Sequence, residues 1–250
     1  MQIPRAHPRY RSLRTREMLA KMMEQGIVTP TGLIAHGRGE AFDYLLGERT
    51  PPEAVHAAKA AAHRLITARH PVISVNGNTA ALAGREVIAL ARQIPARIEV
   101  NLFHRTEARI ALVCEYLESL GAEGVLGRNA EKRIPGLSQP RARCARDGIY
   151  AADAVLVPLE DGDRAIALRE MGKCVIAIDL NPLSRTAMAA HITIVDELTR
   201  ALPLLTGHVK EARKDPSRYK RRAAGFDNAK NLMTVRRRMV SLLEGIKAPQ

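Results

Sequence analysis

Pro71-Val72-Ile73-Ser74-Val75-Asn76-Gly77-Asn78 is the stretch that decides the fold: residues 72–76 are a strand-length apolar run with no clear polar alternation, and Asn76 and Asn78 flank a glycine at its end. Similar runs follow at residues 98–101, 125–126, 154–159, 174–180 and 192–195. Helical periodicity fills most of the intervals, over residues 84–94, 107–120, 164–171 and from 198 onward. Short apolar strands buried on both faces and joined by helical crossovers predict an α/β chain. The architecture expected is a Rossmann-like, mostly parallel sheet flanked by helices. Asn-Gly is a common hairpin turn, but a helix follows this one, so a crossover is the better reading.

Outward from this core, residues 1–70 read as a helical N-terminal segment packed on it, residues 71–207 as the core, and residues 208–250 as a basic helical C-terminal extension. Residues 9–26 carry apolar positions three and four apart. Arg9, Arg11, Arg14 and Arg16 crowd the first turns of that helix, where the helix dipole disfavours cations, so they form either a solvated face or a site for an anion. Leu33-Ile34-Ala35-His36-Gly37-Arg38-Gly39-Glu40 reads as a glycine-rich connection, with Arg38 aimed at a ligand, leading to a short helix. Thr50-Pro51-Pro52-Glu53 reads as a capping box with proline in the first turn.

The 250 residues are 46% hydrophobic and 26% charged, which excludes wholesale disorder. No run approaches the roughly 18–20 apolar residues of a membrane span, and Met1-Gln2-Ile3-Pro4-Arg5 lacks the apolar core of a signal peptide, so a cytoplasmic protein without a membrane partner is expected. Cys114, Cys144 and Cys174 are too scattered for a disulfide framework or a C-x-x-C metal site. The net charge of +13 calls for an anionic partner. Residues 208–239 carry 11 of the 39 Lys and Arg and only 3 of the 26 Asp and Glu, so much of the excess belongs to the extension. One alternative is therefore a nucleic-acid-binding Rossmann-like protein using this basic tail. With 3% aromatic residues, the chain has few rings for stacking bases, which makes nucleic acid the weaker partner class. The preferred reading of the tail is a structural helix whose broken stripe of Met233, Val235, Met239, Leu242 and Leu243 docks on the domain or on a dimer partner.

Ligands of open parallel sheets bind beyond the carboxyl ends of the strands. Asn76, Gly77 and Asn78 stand at the first such end, and Asn101 with Arg105 at the second. Glu160-Asp161-Gly162-Asp163-Arg164 follows the 154–159 run, and there Asp161 and Asp163 either hold Mg²⁺ through water or cap the next helix. Asp179-Leu180-Asn181-Pro182-Leu183-Ser184-Arg185-Thr186 offers an acid for ribose hydroxyls and an arginine with two hydroxyls for phosphates. Beyond Asp196, the amides of Glu197 and Leu198 open a helix toward the same rim. Walker A, G-x-G-x-x-G after a strand, G-x-S-x-G and H-E-x-x-H are all absent; Gly172-Lys173 is followed by Cys174. The residues alone thus give a Rossmann-like protein that binds phosphorylated ligands.

The sequence resembles the archaeal phosphopantothenate synthetases, or 4-phosphopantoate–β-alanine ligases. The matching stretches are Ile3-Pro4, His7-Pro8-Arg9-Tyr10, GLIAHGRGEAFDYLLG from Gly32, PVISVNGN from Pro71, EVNLF from Glu99, Gly148-Ile149-Tyr150, VLVPLEDGDR from Val155 and DLNPLSRT from Asp179. The likeness fades beyond about residue 207. It implies a Rossmann-like homodimer of coenzyme A synthesis that uses ATP and Mg²⁺ to join 4-phosphopantoate to β-alanine, releasing AMP and diphosphate through an acyl-adenylate. By resemblance and location, ATP lies against Arg16, Arg38, Asp179, Leu180, Asn181, Arg185, Thr186 and the amides of Glu197 and Leu198. By location alone, phosphopantoate lies near Asn76, Gly77, Asn78 and Arg105, under a loop bearing Arg141, Arg143 and Arg146. Glu40, His104 and Asp161 are candidate bases for the amine.

Overall fold

A computed structural model describes residues 3–7 and 9–245. Met1, Gln2, Pro8 of the His7–Tyr10 stretch and the last five residues of the expected extension lie outside the described residues. The chain opens with three helices: α1 (Tyr10–Glu24), α2 (Pro30–Leu45) and α3 (Pro52–Thr67). Strand and helix then alternate through β1 (Pro71–Val75), α4 (Gly77–Gln93), β2 (Arg97–Val100) and α5 (Glu107–Ser119). A ribbon of β3 (Lys132–Arg133) and β4 (Arg143–Cys144) interrupts them. After it come β5 (Ala154–Pro158), α6 (Gly162–Glu170), β6 (Cys174–Ile178), α7 (Arg185–Ala189) and β7 (Ile192–Ile194). The helices α8 (Leu198–Lys214), α9 (Pro216–Ala224) and α10 (Asn228–Glu244) follow.

The main sheet is parallel throughout, in the order β2-β1-β5-β6-β7. Its crossovers run one way from β1 to β2 and the other way from β5 through β6 to β7. The loops leaving β1 and β5 therefore diverge, which makes a topological switch point at their carboxyl ends. One face of the sheet (Ile73, Val75, Ile98, Leu156, Ile176, Ile194) packs with α3, α4, α5 and α8. The other (Val72, Val155, Val157, Val175) packs with α6 and the turn around Ile149. Alanines 54, 57, 58, 60, 61 and 62 of α3 are fully buried, and their small side chains let α8 approach closely.

Four local expectations change. The expected strand at 125–126 is a single bridge, Glu99 to Leu126, beside β2. The helix expected from residue 84 begins at Gly77, with Asn76 as its N-cap accepting from the Thr79 amide at 2.9 Å, and it is broken at Ala83. Residues 33–40 are no connection but the middle of α2, which runs on through three glycines. No capping box forms at Thr50: α3 starts at Pro52 without a side-chain cap. The Thr50 hydroxyl instead donates to Asp196 (2.6 Å), while Glu53 pairs with Arg238 (2.8 Å).

The C-terminal extension docks on the core. Leu232, Val235 and Met239 of α10 join Leu46, Leu180, Ala187 and Val195 in a third apolar cluster. Of the stripe read in the sequence, Val235 and Met239 are buried, whereas Met233 and Leu243 face outward. The start of α10 also covers the edge strand β7. Asn228 Oδ1 accepts from the Thr193 amide (2.8 Å), its Nδ2 donates to the Ala187 and Ala190 carbonyls (both 2.9 Å), and Asn231 Nδ2 donates to the Thr193 carbonyl (3.1 Å). These bonds occupy backbone groups that would otherwise template pairing with another strand. Asn228→Ala is expected to cost about 2–3 kcal/mol, from three lost bonds and stranded backbone groups, read from urea denaturation.

Candidate active site

A cleft of about 580 Å³ opens above the carboxyl ends of β6 and β7, between α1, α2 and the start of α8. A second lobe of about 370 Å³ continues it between α1 and α2, with His36 and Glu40 bordering both. Arg9, Arg11, Glu40, Leu180, Glu197 and Arg200 are among the lining residues of the larger lobe, and Arg16 lines the smaller. Arg9, Arg11 and Arg16 of the arginine run thus wall the cleft, while Arg14 lines neither lobe. Arg9 donates to the Tyr44 hydroxyl at 2.7 Å, and Arg16 pairs with Glu40 at 2.7 Å.

The helix α2 is fixed over the rim from beneath. Arg200 donates to both oxygens of Asp43 (2.5 and 3.0 Å) and, through Nε and Nη2, to Asp196 (2.9 and 2.7 Å). Burial works against the charge on Arg200, yet the two carboxylates outweigh it and raise its pKa. Burial raises that of Asp196, against the opposing pull of Thr50 and Arg200. Arg200 is therefore a strut between α2, β7 and α8, with four of its five N–H donors engaged.

The rim residues named from sequence fall into two groups. Arg16, Leu180 and Glu197 line the cleft, whereas Arg38 lines neither lobe. Arg38 is exposed on α2 and lies within the field of Asp179, whose pKa burial raises while Ser184, Asn181 and Arg38 oppose. Asp179 accepts from the Ser184 hydroxyl (2.5 Å) and the Asn181 amide (2.9 Å), which shapes the 179–186 loop. Arg185 is exposed and pairs with Asp163; Thr186 is buried and donates to the Glu160 carbonyl (2.8 Å). Glu197 caps α8, its pKa raised by burial against the help of Thr199, and its own amide is held by Asp196 at 2.8 Å. Leu198 is the first residue of that helix.

The second group serves the fold. Asn76 donates to the Pro158 and Leu159 carbonyls (3.1 and 3.0 Å), and Asn78 to the Gly32 carbonyl (2.8 Å). A Cβ on Gly77 would strike the Ile27 carbonyl oxygen, so glycine is what lets the α1–α2 connection close over this strand end. Arg105 is nearly buried and donates to the Gly127 carbonyl (2.8 Å), but its Nε and Nη1 meet no acceptor among the described residues. His104 is exposed and bonded to Thr31 (3.1 Å), and it does not border the cleft. The arginine loop is already fastened: Arg141 is buried on Glu160 (2.8 Å) and Arg143 pairs with Glu107 (2.9 Å).

The carboxylates expected to hold Mg²⁺ have other occupations. Asp161 caps α6 by accepting from the Asp163 amide (3.0 Å), Asp163 pairs with Arg185, and Glu160 lies between Arg141 and Arg164. No cluster of three or more metal-ligating side chains occurs among the described residues. The donor set at 160–163 does not fit a preformed metal site, and the capping role weighed for Asp161 is the one it takes.

Asp43, Arg200 and Ser12 escape sequence reading as site residues, since partners of each lie well along the chain, and His36 escapes it although it borders both lobes. Burial pushes the Cys114 thiol up to about 11 and Cys144 to about 12, so neither is a ready nucleophile. Lys173 of the Gly-Lys pair is buried with its ammonium on the Tyr150 and Ala152 carbonyls (2.7 and 2.8 Å). No helix among the described residues is long and apolar enough to cross a membrane.

A family model described as phosphopantothenate/pantothenate synthetase matches residues 53–241, and so reaches past residue 207, where the likeness was expected to fade. A Thermococcus onnurineus protein named 4-phosphopantoate–beta-alanine ligase is 51% identical over 252 residues, covering 98% of this chain and 96% of its own. Proteins of the same name from Methanosarcina mazei and Methanospirillum hungatei are each 54% identical over 213 residues, covering 85% of this chain and 84% and 87% of theirs.

Proposed function

The chain belongs to the phosphopantothenate/pantothenate synthetase family, and from that premise we propose that it condenses 4-phosphopantoate with β-alanine, using ATP and releasing AMP and diphosphate, as a cytoplasmic homodimer. The observation that carries this reading is the near-full-length identity to proteins bearing the ligase name. The position of the cleft supports it, because strand-end crevices of parallel sheets are where such folds take nucleotides.

ATP and phosphopantoate together bring about seven negative charges at neutral pH, so their approach needs neutralisation before chemistry. Arg16, Arg38 and Arg185 are exposed or half-exposed cations beside the rim and are assigned to the phosphates. Asp179 keeps acceptor capacity for a ribose hydroxyl, with Leu180, Asn181, Thr186 and the start of α8 at Glu197 and Leu198 completing the nucleotide wall. The acid is assigned to the β1 and β2 ends. There Asn76, Gly77 and Asn78 shape the floor, and the buried Arg105, whose Nε and Nη1 lack partners among the described residues, lends its positive charge. A carboxylate oxygen of phosphopantoate attacks the α-phosphorus, diphosphate leaves, and the amine then displaces AMP from the acyl carbon. These steps need positioning and charge neutralisation rather than a protein nucleophile. Asp161 and Asp163 are engaged elsewhere and are not assigned to Mg²⁺.

With ATP, phosphopantoate and β-alanine, AMP is expected in proportion to amide. ADP in its place would overturn the adenylate route. Arg38→Ala is expected to lower kcat/KM at least tenfold, about 1.4 kcal/mol, in the same assay; an unchanged value would remove Arg38 from the site.

A further inference from the structure

Four carboxylates line the larger lobe, and three are poorly placed to receive a cation. Asp43 is held on both oxygens by Arg200. Glu197 caps α8 through the Thr199 amide and hydroxyl. Glu48 lies exposed beyond the end of α2. Glu40 differs from all of them. Its side chain is 12% exposed, it borders both lobes, and it is held by side chains of one neighbouring helix: Arg16 at 2.7 and 3.1 Å, and the Ser12 hydroxyl. Arg16 is itself 46% exposed and is assigned above to the nucleotide's phosphates.

We propose that Glu40 is the receptor for the ammonium group of β-alanine, and that Arg16 keeps it latched until the phosphates of ATP draw that arginine away. The proposal rests on the ligase reading and deepens it by ordering the substrates. Arg16 stands nearly half in solvent, where an ion pair contributes little, so exchanging its partner is cheap. A triphosphate with about four negative charges attracts Arg16 more strongly than one carboxylate does. Once released, Glu40 offers two oxygens in a lobe where Asp43 and Glu197 stay engaged. Burial opposes ionisation of Glu40, but Ser12 and Arg16 together hold its pKa below the usual carboxylate range. It is therefore ionised when ATP arrives, and an ammonium can take the place that the guanidinium leaves. By linkage, nucleotide and amine each raise the affinity for the other.

Two half-reactions separate this from the ligase reading. Acid-dependent exchange of labelled diphosphate into ATP reports adenylation without the amine, whereas amide synthesis requires both steps. In the full chain, Glu40→Gln is expected to raise KM for β-alanine at least tenfold and to lower amide synthesis at least tenfold more than exchange. Arg16→Ala is expected to raise KM for ATP but not KM for β-alanine. A β-alanine KM within twofold of the parent in Glu40→Gln, or equal losses in both half-reactions, would overturn the receptor role. A rise in the β-alanine KM of Arg16→Ala would overturn the latch. Should Glu40→Gln fold poorly, Glu40→Asp, which keeps the charge but shortens its reach, gives the same comparison. Absence of exchange in the unaltered protein would instead count against the ligase reading.

Discussion

Arg200→Ala is expected to cost about 3–5 kcal/mol of stability, the loss typical when one partner of a buried ion network is removed. Asp196 is 1% exposed and Asp43 7%, and both would be left as neighbouring buried carboxylates with no cation between them. Urea denaturation followed by circular dichroism would read this, the chain having no Trp. The pH dependence has a definite sign. Burial already places the folded pKa of Asp196 above its unfolded value, and removing Arg200 raises it further. With a raised folded pKa the penalty is full above that value and is relieved as the carboxyl protonates below it. The deficit of Arg200→Ala should therefore shrink as pH falls through the raised pKa of Asp196. A deficit that is constant with pH would mean that the two carboxylates are not its source. Activity should fall more steeply than stability alone explains, because Arg200 fixes the helix that carries Arg38 and Glu40.

Glu160→Ala is expected to be as damaging, again about 3–5 kcal/mol. Glu160 pairs with Arg164 and with Arg141 (2.8 Å), and all three side chains are almost wholly buried. Arg164 keeps only the Ser74 hydroxyl (3.1 Å) when the carboxylate is gone, and Arg141 only Asn101 (3.3 Å). Arg164 already has Nε and Nη2 without partners among the described residues, so it has little to fall back on. Glu160→Gln keeps an acceptor but loses the charge and should recover part of the loss. Equal stability of Glu160→Ala and the parent in denaturant would show that water reaches this cluster.

The strand–helix alternation was legible because both-face burial writes itself as short runs of Val, Ile and Ala; β5, β6 and β7 each fall inside an expected run, and β1 and β2 each begin one residue before their own. The rim was legible for the same reason, since polar residues directly after such runs stand at the strand ends. The middle of α2 was not. Each glycine in a helix costs about 1 kcal/mol relative to alanine, so Gly32, Gly37 and Gly39 argue locally against the helix. Tertiary contact decides otherwise: a Cβ at Gly32 would strike the Asn78 side chain, which reaches across to the Gly32 carbonyl. Thr50 misled in a related way. Its spacing to Glu53 fits a cap, but the partner that claims its hydroxyl is Asp196, on the far side of the sheet sequence. Arg200 and Asp43 carry no local signature at all, because the contact that gives them meaning is long-range.

The seating of α10 on β7 has a consequence for how the protein is made. Ribosomes deliver the chain from its amino end, so α1, α2 and every strand emerge before Asn228 and Asn231 do. During that interval the outermost strand shows the Thr193 amide and carbonyl to whatever is nearby, including other nascent chains on the same messenger. Translation that stalls ahead of α10 should leave a sticky sheet with an unclamped entrance, whereas completion of that helix seals the edge and braces the cleft in one event.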